Sequence, residues 1–226
     1  MQEDDYSSQA LHQITRALAA TTTERRQAIL VNVQDLFKKA KQEPLAALVE
    51  DHNKLLKAQA GLEEKLGHNF VGLNLHQTLA DLIQYDEMKL AEKLRNDFKL
   101  SDRRFAWLKL NTWAKTHKWN ELKRYAKQKK LPVPMTQVVK LAKLHGGQEA
   151  ANAFLSEEFL NNEERFNLLS EFGMYVEAAS AAFAGKNMEA LTTLEAICAG
   201  KDDVMKSIQA YKAKLLGSGS GSSWRN

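Results

Sequence analysis

The side chains that most often carry out chemistry are scattered along this chain. The carboxylate pairs are adjacent in sequence, and adjacent helix residues do not face each other. The single cysteine, Cys198, lies on an apolar stripe and is typical of a buried core residue. None of the six histidines belongs to a His-x-x-x-His or Glu-x-x-His pair, and no glycine-rich phosphate loop occurs. We therefore predict no catalytic site, no metal and no cofactor, so that the chain is not an enzyme.

One segment concentrates positive charge and aromatic side chains. The whole chain has a formal net charge of +4, but Lys99 to Lys130 contain eleven Lys and Arg and two acids. This stretch therefore carries +9 and leaves −5 for the rest of the chain. Cations interleaved with aromatic rings can bind nucleic acid through phosphate contacts and stacking. They can equally favour an anionic membrane surface.

The same segment has a second interpretation based on helix geometry. Trp107, Leu110 and Trp113 recur at helical spacing, which is the pattern of side chains that pack between helices. Trp119 and Leu122 repeat this pattern on the next predicted helix. The cations then occupy the solvent-facing side, where they form a docking face for an acidic protein partner.

The elements that must position these residues are predicted to be helices. The chain has 3 prolines and 11 glycines, too few for the frequent turns of an all-β fold. Thr21 to Thr23 followed by Glu24 form a helix start signal. Pro44 suits the first turn of the next long helix, and Gly67 suits its end. The fold class is therefore all-α.

The later helices form a repeat. Similar helix starts recur at Lys89, Glu121, Glu149 and Glu177, at spacings of 32, 28 and 28 residues. This period is in the range of helical-hairpin repeats, in which each hairpin must stack on its neighbours to bury its apolar face. We predict an α-solenoid of stacked antiparallel helical hairpins in a single domain, 1–216. It has long N-terminal helices in 7–66, shorter hairpins in 74–216 and a flexible Gly/Ser tail, 217–226.

Three further observations concern location. No run of 18 apolar residues occurs, so we predict no transmembrane segment. The first residues, MQEDDYSSQ, are acidic and do not form a secretory signal. A single cysteine fits a reducing cytoplasmic setting.

The basic segment also carries a family resemblance. The sequence Ala91-Glu-Lys-Leu-Arg-Asn-Asp-Phe-Lys99 is followed by Asp102-Arg-Arg-Phe-Ala-Trp-Leu-Lys-Leu110, then by a Trp-Asn-Glu-Leu turn at 119–122. These runs resemble the C-terminal region of the vacuolar protein sorting-associated protein 16 family, and the resemblance covers most of 24–216. Ala106 stands where the family pattern has a tryptophan. Such departures leave open a related paralogue that serves a different Sec/Munc-type partner.

The resemblance implies a non-enzymatic α-solenoid scaffold. In that family the region holds a Sec/Munc-family protein, vacuolar protein sorting-associated protein 33, within the HOPS and CORVET tethering complexes. The partner and the other subunits support SNARE assembly, so contact with SNAREs is indirect. The implied location is cytoplasmic, on late endosome and vacuole or lysosome membranes, with no role in binding nucleic acid.

The resemblance also implies a docking site between about Pro44 and Ala114. Small residues at Ala46, Ala47 and Ala91 would let a partner helix approach closely. An arginine at a hairpin turn can bind a partner carboxylate in a bidentate manner. The implied partner-binding residues are Arg104, Arg103, Ala47, Leu48, Asp86 and Lys109.

Overall fold

The structure is a computed structural model that describes residues 2–128, 130–156 and 158–219. Within these residues the secondary structure consists of helices joined by turns and short loops. The helices are α1 (Gln2–Leu18), α2 (Thr23–Lys39), α3 (Glu43–Leu66), α4 (Leu75–Gln84), α5 (Met88–Asp97), α6 (Asp102–Lys115), α7 (Trp119–Ala126), α8 (Met135–Asn152), α9 (Asn162–Glu171), α10 (Tyr175–Ala184), α11 (Met188–Ile197) and α12 (Asp202–Gly219). The predicted all-α, solenoid-like fold is confirmed for this part of the chain.

The helix ends follow the predicted signals. Thr22 caps α2, and its side chain accepts a hydrogen bond from the backbone N–H of Arg25. Pro44 lies in the first turn of α3, where its missing N–H costs nothing. Gly67 ends α3 with φ at 68°, a conformation that glycine adopts without a Cβ penalty.

Backbone contacts divide the chain into two compact units, with the division within α6 between Thr112 and Trp113. The prediction of a single domain over 1–216 stays a prediction. The helix α12 continues to Gly219, so that three residues of the predicted tail are helical. The remainder of that tail, 220–226, lies outside the described residues.

The first unit begins with three helices packed in chain order, α1 on α2 and α2 on α3. Small buried residues (Ala10, Ala17 and Ala46) are part of their shared core. The Arg26 guanidinium closes the α1–α2 connection by donating to the carbonyl oxygens of Ala17 and Ala20, each at 3.2 Å. The larger core side chains are Leu30, Val33, Leu36, Phe37, Val49 and Leu56.

The long helix α3 also organises the rest of this unit. The buried Gln59 amide donates to the Leu73 carbonyl oxygen at 2.7 Å and to the Thr78 hydroxyl at 2.8 Å. The Glu63 carboxylate accepts from the backbone N–H groups of residues 70 and 71, at 2.6 and 2.7 Å. These polar contacts fix the loop after α3 and place the start of α4 beside α3.

The helix α5 returns antiparallel to α4 and ends against α3. The Lys54 ammonium donates to the Asp97 carbonyl oxygen at 2.6 Å and lies 5.0 Å from the centre of the Phe98 ring. A lysine at the end of a helix is favourable because it pairs with carbonyl groups that lack an intrahelical partner. The α5–α6 turn, which starts the basic segment, is therefore held at a defined position on α3.

The second unit contains the end of α6 and the helices α7 to α12. The helix α8 is interrupted at Gly147, where φ is 68° and ψ is −163°. Further along, α10 packs on α9, α11 and α12. Cys198 is fully buried here, as its apolar stripe predicted.

Candidate protein-docking site

The start of α6 is fixed by the turn that precedes it. The Arg95 guanidinium forms an ion pair with Asp102 and donates to the Leu100 carbonyl oxygen at 3.0 Å. The backbone N–H of Arg104 donates to the Ser101 hydroxyl at 3.5 Å. Arg95 therefore fixes the turn. The two residues that follow Asp102 on α6 extend their side chains from this fixed helix start.

Those two side chains, Arg103 and Arg104, are exposed and line one groove. The groove has a volume of about 570 Å³. The Trp107 side chain, 41% exposed, lies one turn along α6 and forms an aromatic wall. The lining residues are His76, Arg103, Arg104, Trp107, Leu108 and Asn111.

The opposite side of α6 anchors the helix. Phe105 is buried, and the Arg95 guanidinium and the Lys109 ammonium lie 5.7 and 5.0 Å from its ring centre. Burial lowers the pKa of Lys109 from its ordinary value of 10.5; the Glu92 carboxylate opposes this shift, and the Arg95 guanidinium adds to it. Lys109 therefore serves the packing of α6, whereas Arg103 and Arg104 face the groove.

The other predicted partner-binding residues lie elsewhere in the same unit. Ala47 and Leu48 are exposed on α3, and Leu48, 66% exposed, lines a separate apolar groove of about 450 Å³ with Leu18 and Leu55. Asp86 is exposed at the α4–α5 turn, where its φ of 63° is the left-handed conformation. The structure therefore brings together Arg103 and Arg104, while Leu48 lines a different groove and Asp86 occupies a turn.

Two expectations about exposure are wrong. Ala46 and Ala91 are 1% and 0% exposed, so their small side chains serve helix packing within the fold and offer no surface to a partner. Trp107 is partly exposed, whereas Trp113 on the same helix is buried. The core interpretation therefore holds for Trp113 and fails for Trp107.

His76, Leu108 and Asn111 are groove residues that were not among the predicted partner-binding residues. Leu108 follows Arg104 by four residues, so it lies on the same face of α6. His76 enters because the first turn of α4 lies beside the first turns of α6, a register that helical spacing does not encode. Asn111 follows Arg104 by seven residues, so helical periodicity places it on the same face. Helical periodicity could therefore have identified Asn111, whereas no feature of the sequence indicates His76.

The side chains of this groove are suited to binding a ligand group by charge and packing. Two guanidinium groups next to an indole ring can bind a carboxylate while an apolar side chain packs on the ring. Within the described residues, no three His, Cys, Asp or Glu side chains converge as ligands for a metal ion. In the same part of the chain, no helix is both long enough and apolar enough to cross a bilayer.

The comparisons with known proteins all indicate the same family. The family described as Vps16, C-terminal region, matches residues 1–214. The vacuolar protein sorting-associated protein 16 homolog of Drosophila melanogaster is 28% identical over 193 residues, which are 85% of this chain and 23% of that protein. The Dictyostelium discoideum homolog is 27% identical over 168 residues, 74% of this chain and 20% of that protein.

A further relative is the Saccharomyces cerevisiae vacuolar protein sorting-associated protein 16, 23% identical over 161 residues, which are 71% of this chain and 20% of that protein. The chain thus spans about a fifth to a quarter of the length of the curated relatives it matches. The family match starts at residue 1, earlier than the resemblance in the sequence had indicated. The chain belongs to the Vps16 C-terminal region family.

Proposed function

We propose that this chain is a non-enzymatic docking scaffold in a HOPS or CORVET tethering complex and acts in vacuolar protein sorting. Family membership supports this role, since the relatives are named for vacuolar protein sorting. A helical-hairpin stack presents a rigid extended surface, which suits a scaffold. The implied site of action is the late endosome and the vacuole or lysosome membrane, together with other subunits of the complex.

The partner we propose for the groove is a Sec/Munc-family protein, vacuolar protein sorting-associated protein 33. The observation that carries this proposal is the exposure of Arg103, Arg104 and Trp107 along one wall of one groove. Arg and Trp are the side chains most enriched among residues that dominate binding energy at interfaces. Through this partner the scaffold would support SNARE assembly and membrane fusion without touching SNAREs itself.

The test is co-purification of the partner with wild-type chain and with Arg104→Glu. We expect the Arg104→Glu variant to lose the partner because the change places a carboxylate opposite a partner acid. Helicity should be unchanged, since an acid near a helix N-terminus is favourable. Retention of the partner by this variant would remove Arg104 from the interface.

A closely matched control is Arg25→Glu. Arg25 is exposed and is the third residue of α2, as Arg104 is the third residue of α6. Each has a backbone N–H that donates to the hydroxyl of a residue before its helix. Loss of the partner in both variants would indicate a general effect of charge and contradict docking at the groove.

The alternative function is direct binding of nucleic acid by the basic segment. It predicts an affinity for an oligonucleotide that falls steeply with salt. A fluorescence titration of the wild-type chain at two salt concentrations measures this. Binding of that kind, abolished by Arg104→Glu, would favour the alternative over the protein scaffold.

A further inference from the structure

We propose that the second unit carries a surface that binds the anionic headgroups of a lipid bilayer. The surface is the lysine face, defined here as the exposed residues Lys115, Lys123, Arg124, Lys127 and Lys130. Residues 115–130 contain seven Lys and Arg and one acid, whereas the rest of 113–226 contains nine Lys and Arg and eleven acids. The positive charge of this unit is therefore concentrated on and beside one short helix.

Three of the five cations of the lysine face, Lys115, Lys123 and Lys130, lie outside the described ion pairs, and the other two form only exposed ones. The ion pairs described here join Arg124 to Glu121 at 3.0 Å and Lys127 to Glu158 at 3.4 Å. Lys127 and Glu158 have side chains 63% and 61% exposed, and ion pairs this exposed contribute little. Lys123, Arg124 and Lys127 lie within about 6 Å along the axis of α7, less than the Debye length of about 8 Å at physiological salt, so their charges reinforce one another.

The aromatic and apolar side chains of this segment point inward. Leu122, Tyr125 and Trp113 are buried, and Trp119 is half-buried with its ring against Gly146 of α8. In the described part of 113–128 the one exposed ring is the imidazole of His117, which packs edge-to-face against Trp119 with 5.4 Å between ring centres, so this part offers no exposed Trp, Tyr or Phe ring on which nucleic acid bases would stack. It equally lacks an exposed aromatic anchor of the kind that dominates protein interfaces.

The choice of cation also favours a bilayer. Four of the five residues of the lysine face are lysines, and the one arginine is already paired with Glu121. A lysine is a point charge on a flexible stem, whereas bidentate recognition of a single carboxylate or phosphate favours arginine. A set of mobile point charges fits a fluid array of anionic headgroups, which attracts each cation near the surface independently.

The experiment is vesicle co-sedimentation of the full chain. The probes are vesicles of phosphatidylcholine alone and vesicles that also contain 30 mol% phosphatidylserine, each at about 100 and 500 mM salt. We expect binding only to the anionic vesicles, with release at high salt. Replacing Lys115, Lys123 and Lys130 by Gln removes three cations outside the described ion pairs. We expect affinity to fall about fivefold per charge, roughly a hundredfold in all.

The matched control replaces Lys186, Lys206 and Lys214 by Gln. These lysines are exposed in the same unit but outside the lysine face, so the net charge changes equally. We expect this control and Arg104→Glu to keep vesicle binding, which separates this inference from docking at the groove. The inference is overturned by no binding to anionic vesicles, by equal loss in the two triple variants, or by tighter binding to an oligonucleotide than to the vesicles.

Discussion

The substitution Gly146→Ala tests how closely α7 and α8 pack in the second unit. A Cβ at this position would lie 2.5 Å from the Cζ2 atom of Trp119 and 2.5 Å from the Cβ of Ala150. Both distances are far below van der Waals contact, so the indole ring or the helix must move. Gly146 lies directly before the break of α8 at Gly147. This break fixes the point at which the backbone approaches the Trp119 ring.

The size of the effect is the balance of two opposing contributions. Replacing a helical glycine by alanine stabilises a protein by about 1 kcal/mol when there is space for the methyl group. Overpacking costs about 1–3 kcal/mol because side chains and backbone are displaced. We therefore expect Gly146→Ala to lower the free energy of unfolding by about 1 kcal/mol. A change of this size lowers Tm by about 2–4 °C in a chain of this length.

The control is Gly61→Ala on α3. A Cβ at Gly61 would meet nothing within 4 Å, so this variant should gain the full helix-propensity contribution of about 1 kcal/mol. Urea unfolding followed by circular dichroism measures both variants. Adding Trp119→Ala to Gly146→Ala should reduce the cost of the added methyl group. If Gly146→Ala is as stabilising as Gly61→Ala, the close approach of Trp119 is wrong.

Two further predictions concern buried polar groups. Gln59→Leu leaves the Leu73 carbonyl and the Thr78 hydroxyl without their amide donor, so the free energy of unfolding should fall by about 1–3 kcal/mol. Urea unfolding checks this, and a fully stable variant would contradict it. Burial raises the pKa of Tyr125 above 10.0, partly offset by the hydrogen bond that its hydroxyl accepts from the Val133 N–H at 3.2 Å. As pH rises, the phenol therefore loses its proton at a lower pH in the unfolded chain than in the folded chain, so stability should decline beyond about pH 10. Tyr125→Phe should weaken this decline in thermal melts. An unchanged decline would refute the raised pKa of Tyr125 as its cause.

The helix starts and stops were largely predictable because they depend on local chemistry. A threonine cap before α2, a proline in the first turn of α3 and a glycine after it each act within a few residues. A helix start was predicted at Glu149, and α8 is interrupted two residues earlier, at Gly147, before it continues to Asn152. A glycine pair signals an interruption, whereas the course of the chain beyond that pair depends on packing with α7.

The exposure of individual site residues was less predictable. Trp107 and Trp113 share a helix and a helical spacing, yet the first is partly exposed and the second buried. Helical periodicity identifies a stripe of apolar side chains along a helix. How much of that stripe the neighbouring helices cover depends on the tertiary structure. Ala46 and Ala91 illustrate the same limit, since a small residue permits close packing both within a fold and against a partner.

The grouping of site residues depended entirely on tertiary structure. Arg103 and Arg104 are adjacent in sequence and line one groove, whereas the resemblance also included Leu48 and Asp86, which lie elsewhere in the unit. His76 joins the groove from a helix that starts 27 residues before α6. The position of His76 beside α6 depends on how the two helices are placed. Gln59 fixes the loop before α4, and Arg95 fixes the turn before α6.

We propose that the groove beside Arg104 docks a Sec/Munc-family protein. Isothermal titration calorimetry of purified vacuolar protein sorting-associated protein 33 into this chain tests the claim most directly. We predict that Arg104→Glu raises Kd by at least about thirtyfold, the effect of losing a dominant interface residue. Arg25→Glu should leave Kd within about twofold of wild type, as for surface changes outside an interface. Equal Kd values for the wild type and Arg104→Glu would contradict the account.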